Sequence, residues 1–181
     1  MHERRFGRAI ERLRDPERIE RMEVSRVVGL VLAGDAGIIS VLDIGTGSGL
    51  FAEAFFTKGL RVACVDVNPE MISAAQGFVP QGTFKISVAE DLPFADGEFD
   101  LAFMGLLLHE TDDRAKAVQE AFRVCKKRLA VLEWPCEVQE IGPGIEDRVS
   151  ATEIQSWAKI AGFLSCQEIR LNQLVLYLFN R

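Results

Sequence analysis

The segment Ser40-Val41-Leu42-Asp43-Ile44-Gly45-Thr46-Gly47-Ser48-Gly49-Leu50 constrains the fold more than any other stretch of the chain. The run Ser40 to Ile44 is mostly aliphatic and ends against a glycine cluster, the pattern of a parallel strand buried on both faces. Glycines at 45, 47 and 49 admit positive φ and let a ligand lie against bare backbone. A helix is expected from about Leu50 to Lys58, and its free N–H groups would point at the same bend. Strand, glycine turn and helix in that order predict an α/β chain with a nucleotide-type ligand at the turn.

The spacing narrows the ligand. Dinucleotide folds carry G-x-G-x-x-G, with a pyrophosphate at the helix N-terminus. Here the spacing is G-x-G-x-G, and Asp43 stands two residues before the first glycine. A carboxylate there repels a pyrophosphate and suits an ammonium group. A second junction, Arg61-Val62-Ala63-Cys64-Val65-Asp66-Val67-Asn68-Pro69, reads as another buried strand ending in an acid, with Pro69 opening a helix. Asp66 at that strand end is placed to accept from both hydroxyls of a ribose. Further along come the loop Ile86 to Phe94 and the turn Asp96-Gly97-Glu98 entering a fourth strand, Phe99 to Met104. A helix from about Asp113 to Val124 and a strand from about Leu129 to Glu133 follow.

In this order the motifs resemble the class I S-adenosylmethionine-dependent methyltransferases, small single-domain members of the type 11-like kind, over roughly residues 38–179. The resemblance implies a Rossmann-like three-layer sandwich, with a mostly parallel seven-stranded sheet, an antiparallel last strand and N-terminal helices. It implies S-adenosyl-L-methionine as cofactor and S-adenosyl-L-homocysteine as product. The residues it assigns to the cofactor are Asp43, Gly45, Thr46, Gly47 and Gly49 at the bend, Asp66 on the ribose and Val67 on one face of the adenine. Ala89 and Glu90 in the adenine-side loop and Gly105 at the end of the fourth strand complete the set. Two departures stand out. Val88 occupies a position where many relatives carry an acid facing the adenine amino group, a task left to Glu90, Asp91 or backbone carbonyls. Cys125-Lys126-Lys127-Arg128 replaces the usual Lys-Pro-Gly-Gly turn, which predicts a shorter, stiffer loop before the fifth strand.

A chain of 181 residues is one domain with ample core, here divided into an N-terminal helical segment 1–34 and a core 38–181. That leaves acceptor selection to the N-terminal helices, the loop after the fourth strand and the loop Trp134 to Val149. The net charge of −6 argues against a long basic face for nucleic acid. No apolar run is long enough to span a membrane, and the charged N-terminus is unlike a secretion signal, so a cytoplasmic setting is expected. Four cysteines (Cys64, Cys125, Cys136, Cys166) form no C-x-x-C pair and no metal spacing. Cys64 and Cys166 sit in strand-like runs and are expected to be small buried apolar residues; Cys136 lies near the expected pocket mouth. Phe6, Ile10 and Leu13 share one face of a first helix that is either a lid or a packing helix. Asp15 caps a second helix opened by Pro16, which runs on to Gly34. Near the end, Ser150 and Glu153 form a capping box, with Ile154, Trp157, Ala158 and Ala161 on the buried face and Gly162 as the stop. Strands Phe163 to Arg170 and Gln173 to Phe179 finish the chain.

Methyl transfer from a sulfonium needs alignment and exclusion of water, and a base only if the acceptor must lose a proton. His109 is the one histidine near the strand ends and the candidate catalytic base; packing at a helix end is the competing role. Glu110 either reaches the acceptor or is solvated, and Thr111 and Asp112 are expected to cap the next helix. Glu133 would orient a polar acceptor, with Trp134 as an aromatic wall. The expected partner is a small-molecule acceptor. Two other readings stay open: a non-catalytic S-adenosylmethionine-binding or scaffold protein, and a nicotinamide-dependent oxidoreductase, for which the glycine spacing is wrong.

Overall fold

The computed structural model describes residues 10–34 and 37–181. Strands β1 (Ser40–Ile44), β2 (Arg61–Asp66), β3 (Thr83–Ile86), β4 (Phe99–Gly105), β5 (Cys125–Glu133), β6 (Ser165–Arg170) and β7 (Val175–Asn180) form one sheet in the order β3-β2-β1-β4-β5-β7-β6. Neighbours from β3 through β5 pair parallel, and β7 runs antiparallel to both β5 and β6. The expected mostly parallel sheet with a reversed last strand is therefore present.

Side chains alternate between two cores, as the two-residue period of a strand requires. Leu42, Ile44, Ala102, Met104, Leu129 and Val131 face one layer, built from helices α6 (Arg114–Val124) and α7 (Ala151–Ala161). Val41, Leu101, Phe103, Ala130 and Leu132 face the other, built from α3 (Val24–Leu32) and α4 (Leu50–Thr57). Phe103 packs against Phe51 at 4.7 Å and edge-on to Phe55 at 5.2 Å, which seats α4 below the glycine bend. Helix α5 (Pro69–Phe78) begins at its proline, with the Asn68 side chain accepting from Glu70 N. At the far ends of β1 and β4 the Asp100 carboxylate accepts from Ile39 N, Ser40 N and Ser40 Oγ.

Several expectations need correction. The helix expected from Pro16 to about Gly34 is two, α2 (Pro16–Arg21) and α3, after a four-residue α1 (Ile10–Leu13). The break is at Glu23, which takes φ 47 and accepts from Asn172 N through its side chain. Phe6, with the rest of the proposed first helix before Ile10, lies outside the described residues. Strand β5 starts at Cys125, so Cys125 to Arg128 is strand and not a loop. Helix α6 passes straight into it, with a register irregularity against β4 between Phe99 and Leu101. Cys166 is exposed, because β6 is the edge strand with little packed over it; Cys64 and Cys125 are buried. Of the α7 face, Ile154 and Ala158 are buried while Trp157 and Ala161 are half-buried. The capping box of Ser150 and Glu153 and the Gly162 stop are as expected.

Candidate active site

The carboxyl ends of β1, β2, β4 and β5 converge where the strand order reverses, between β1 and β4, which is where open α/β sheets bind ligands. The bend after β1 is tied to β2 by Gly45 N and Thr46 N, both donating to Val65 O. All three glycines take positive φ, at 69°, 53° and 78°. A side chain on Gly45 would strike Leu107 and one on Gly49 would strike Ala75, whereas Gly47 faces open space. A cleft opens above it, lined by Asp43, Gly45, Thr46, Gly47, Ser48 and Gly105, and from the N-terminal side by Leu13, Arg18 and Met22.

Two carboxyls flank this floor. Asp43 is buried and accepts from Thr46 Oγ1 at 2.6 Å; burial, aided by the charge of Asp66 and opposed by that hydrogen bond, pushes its carboxyl up to about 7. Asp66 accepts from Gly47 N at 2.8 Å and Asn68 N at 2.9 Å, so it braces the bend and ends β2 at once. Burial raises Asp66 against the pull of those N–H donors.

On the adenine side the placements are mixed. Val67 and Val88 are exposed apolar side chains, at 52% and 45%. Ala89 is packed into the core with Leu92 and Phe94. The Glu90 carboxylate points to the start of α6 and accepts from Asp113 N at 3.1 Å. From the other side, Glu120 accepts from Leu92 N while Arg123 donates to the carbonyls of Leu92 and Phe94, so α6 grips this loop.

On the other flank of the cleft, β4 ends at Gly105, and Leu106 follows at φ 56, a strained conformation for leucine. A 3₁₀ turn, Leu108–Glu110, then delivers His109. Its Nδ1 lies 2.9 Å from Glu133 Oε2, and its Nε2 lies 3.7 Å from Glu110 Oε1. Glu133 is 1% exposed and spends its oxygens on His109 and on Trp134 N, so it does not present a carboxylate to an acceptor as expected. Burial lowers the His109 imidazole, but Glu133 and Glu110 together raise it above its ordinary value. Glu110 is pushed up to about 7, chiefly by burial. Helix α6 is capped by Asp113, whose side chain accepts from Lys116 N; Thr111 instead donates to Leu107 O.

The loop after β5 is organised by a residue the sequence did not single out. Arg148 is buried and donates to the carbonyls of Pro135, Glu137, Ile141 and Pro143 and to Gln139 Oε1. Its guanidinium lies 5.5 Å from the Trp134 ring, which is buried and forms no open wall. Arg14, one of a series of N-terminal arginines interleaved with acids and expected on a solvated helix face, instead ties the N-terminal segment to α4 and α5. No spacing signal marks either arginine, because their partners are carbonyls and distant helices. Among the described residues no group of three His, Cys, Asp or Glu side chains is placed to hold a metal ion.

A methyltransferase-domain family model matches residues 42–130. A crystal structure of a methyltransferase dependent on S-adenosylmethionine from Aquifex aeolicus superposes with a TM-score of 0.79 at 25% identity, covering 94% of this chain and 95% of that one. An uncharacterised methyltransferase of Mycobacterium bovis is 32% identical over 127 residues, which cover 62% of this chain and 52% of that protein. An O-methyltransferase of Aspergillus sclerotiorum is 35% identical over 131 residues, covering 65% of this chain and 49% of that protein. The chain thus spans about half the length of the curated relatives it matches.

Proposed function

The chain belongs to the class I S-adenosylmethionine-dependent methyltransferases, and from that premise we propose that it transfers a methyl group to a small-molecule acceptor. The observation that carries this reading is the bend itself: a glycine floor open above Gly47, a buried acid lining it and a second acid closing the neighbouring strand. These residues fit the cofactor. Asp43 and Thr46 would hold its ammonium end beside the open space at Gly47, while Gly45, Gly49 and Gly105 shape the pocket floor by packing close to Leu107, Ala75 and Phe103. Asp66 would take the ribose hydroxyls, and Val67, with the Ala89–Glu90 loop, would bound the adenine through apolar contact and backbone.

When bound, the cofactor supplies a methyl group on a positively charged sulfur. The protein's own part is alignment and dryness, worth several kcal/mol when reacting atoms are held in line. Leu13, Arg18 and Met22 approach the cleft from the N-terminal side, and residues 10–21 act as its lid, while α3 belongs to the core. His109 serves as the base where the acceptor must lose a proton. A setting in the cytoplasm and a small organic acceptor, with no role for nucleic acid, belong to the same proposal. No helix among the described residues is long and apolar enough to cross a membrane.

Calorimetry with S-adenosylhomocysteine tests the reading directly. The unmodified protein is expected to bind it, Asp66→Ala to weaken binding at least about tenfold through the lost charged hydrogen bonds, and Gly47→Trp to abolish it by filling the floor. Absence of binding to the unmodified, folded protein would defeat the proposal. Labelled S-adenosylmethionine incubated with a cell extract, followed by mass spectrometry, then identifies the acceptor.

A further inference from the structure

Among the described residues, the buried carboxylate of Glu133 takes its three hydrogen bonds from nitrogen donors. Its Oε1 accepts from the main-chain N of His109 at 3.4 Å, and its Oε2 from Trp134 N at 3.2 Å and from the imidazole Nδ1 at 2.9 Å. One carboxylate therefore holds both the backbone and the ring of His109. Facing a carboxylate oxygen, Nδ1 carries the proton, and the other ring nitrogen keeps its lone pair. Among the described residues Nε2 has no hydrogen-bond partner: Glu110 Oε1 is 3.7 Å away, beyond hydrogen-bond length. The turn that presents this ring follows directly from the strained Leu106 and from Gly105, which lines the cleft.

We propose that Glu133 is a positioning residue that locks His109 with Nδ1–H turned inward and Nε2 ready to take a proton, and that the methyl acceptor is a hydroxyl compound. This rests on the methyltransferase reading above. The acceptor oxygen forms the new bond to the methyl carbon, the carbon–sulfur bond breaks with its electron pair going to sulfur, and the hydroxyl proton passes to Nε2. A preset base is matched to a hydroxyl because a carboxylic acid is already ionised near neutrality, a thiol supplies enough of its strongly nucleophilic thiolate unaided, and a neutral amine attacks with its own lone pair and sheds its proton afterwards. The charged groups around the ring are Glu133 from β5, Glu110 on the same turn and Arg114 from α6, whose Nε donates to Leu108 O.

The chain has two histidines, so nitrogen NMR of the imidazoles resolves His109 once His109→Gln has assigned the signals. In the ligand-free protein at pH 8 we expect Nδ1 protonated and Nε2 bare. Glu133→Gln should lower the His109 midpoint by about one pH unit, a tenfold loss of proton affinity, as expected for removing one adjacent charge. Glu110→Gln should lower it less. A proton on Nε2 at pH 8, an unmoved midpoint in Glu133→Gln, or a larger effect of Glu110→Gln would overturn the proposal. The tautomer of the unmodified protein decides the matter even if Glu133→Gln fails to fold. A product of the labelled extract bearing its methyl on nitrogen, sulfur or carbon would overturn the hydroxyl assignment. Failure to bind S-adenosylhomocysteine is a separate outcome, which sinks the underlying reading whatever the imidazole spectra show.

Discussion

Gly47 and Gly49 share a left-handed backbone but not a neighbourhood. A Cβ on Gly49 would lie 2.9 Å from Ala75 Cα, inside the contact between α4 and α5, whereas one on Gly47 would meet nothing within 4 Å. Both substitutions by alanine carry backbone strain of about 1–2 kcal/mol, and Gly49→Ala adds an overpacking cost of roughly 1–3 kcal/mol. Thermal denaturation should show Gly49→Ala to be clearly the less stable variant, while calorimetry should show Gly47→Ala with a small stability change and weakened S-adenosylhomocysteine binding. Equal stability losses would mean that the two glycines are not divided between scaffold and site. From the sequence the three glycines of the bend look alike. The difference lies in Ala75 and Leu107, residues 26 and 62 positions from the glycines they touch. The same limit hid the fate of Glu133: its position at a strand end is visible in the chain, but two of the three donors that occupy it come from a turn 24 residues earlier.

Elements whose signals are local were legible: β1 from its aliphatic run, α5 from Pro69 and its Asn68 cap, α7 from its capping box and closing glycine. Elements decided by distant partners were not. The polar start of β5 pairs through its main chain, which side-chain polarity does not report, and Arg128 is drawn to the carbonyls of Val31 and Ala33. The break between α2 and α3 follows no sequence punctuation, since apolar residues keep helical spacing on both sides of Glu23. The N-terminal segment is held over the cleft by Arg14. Its guanidinium bonds Glu53 at 2.6 and 2.8 Å, reaches Ser48 O at 3.4 Å and lies 3.2 Å from the Phe78 ring centroid. A partly exposed ion pair and a cation–π contact are together worth about 1 kcal/mol. If the segment is a lid, Arg14→Ala should raise the dissociation rate of S-adenosylhomocysteine about fivefold and speed hydrogen exchange in residues 10–21, with the melting temperature nearly unchanged. An unaltered dissociation rate in a variant whose N-terminal segment exchanges faster would remove the lid role.

Across the described residues, burial raises Asp43, Asp66 and Glu110 around the cleft, whereas hydrogen bonds hold three carboxyls elsewhere low. Asp43 and Glu110 are pushed up to about 7, and Asp66 and His109 are also raised. The folded state therefore binds more protons than the unfolded chain from the ordinary carboxylate range up to about 7, so stability falls as pH rises through that interval. Asp100, Glu120 and Glu153 are held low, by hydrogen bonds from Ile39 and Ser40, from Arg123, and from Ser150 respectively; their stabilisation is present above the ordinary carboxylate range and is lost as pH falls below it. Together the two sets put maximal stability of the ligand-free protein near pH 5, declining towards pH 8. Ligand binding runs the other way. An ammonium group on the ligand favours ionised Asp43, and a carboxyl that titrates near 7 when free makes affinity rise about tenfold between pH 6 and pH 8. Melting curves of the ligand-free protein and calorimetry across that range should move in opposite directions, and Asp43→Asn should flatten the affinity profile while only reducing the slope of the stability profile, because Glu110, Asp66 and His109 remain. A ligand-free protein that gains stability steadily from pH 5 to 8 would mean that burial does not raise these carboxyls, and an affinity indifferent to pH would mean that the acid beneath the bend does not meet a cation. The glycine floor would then have to be explained without an amino-acid ligand.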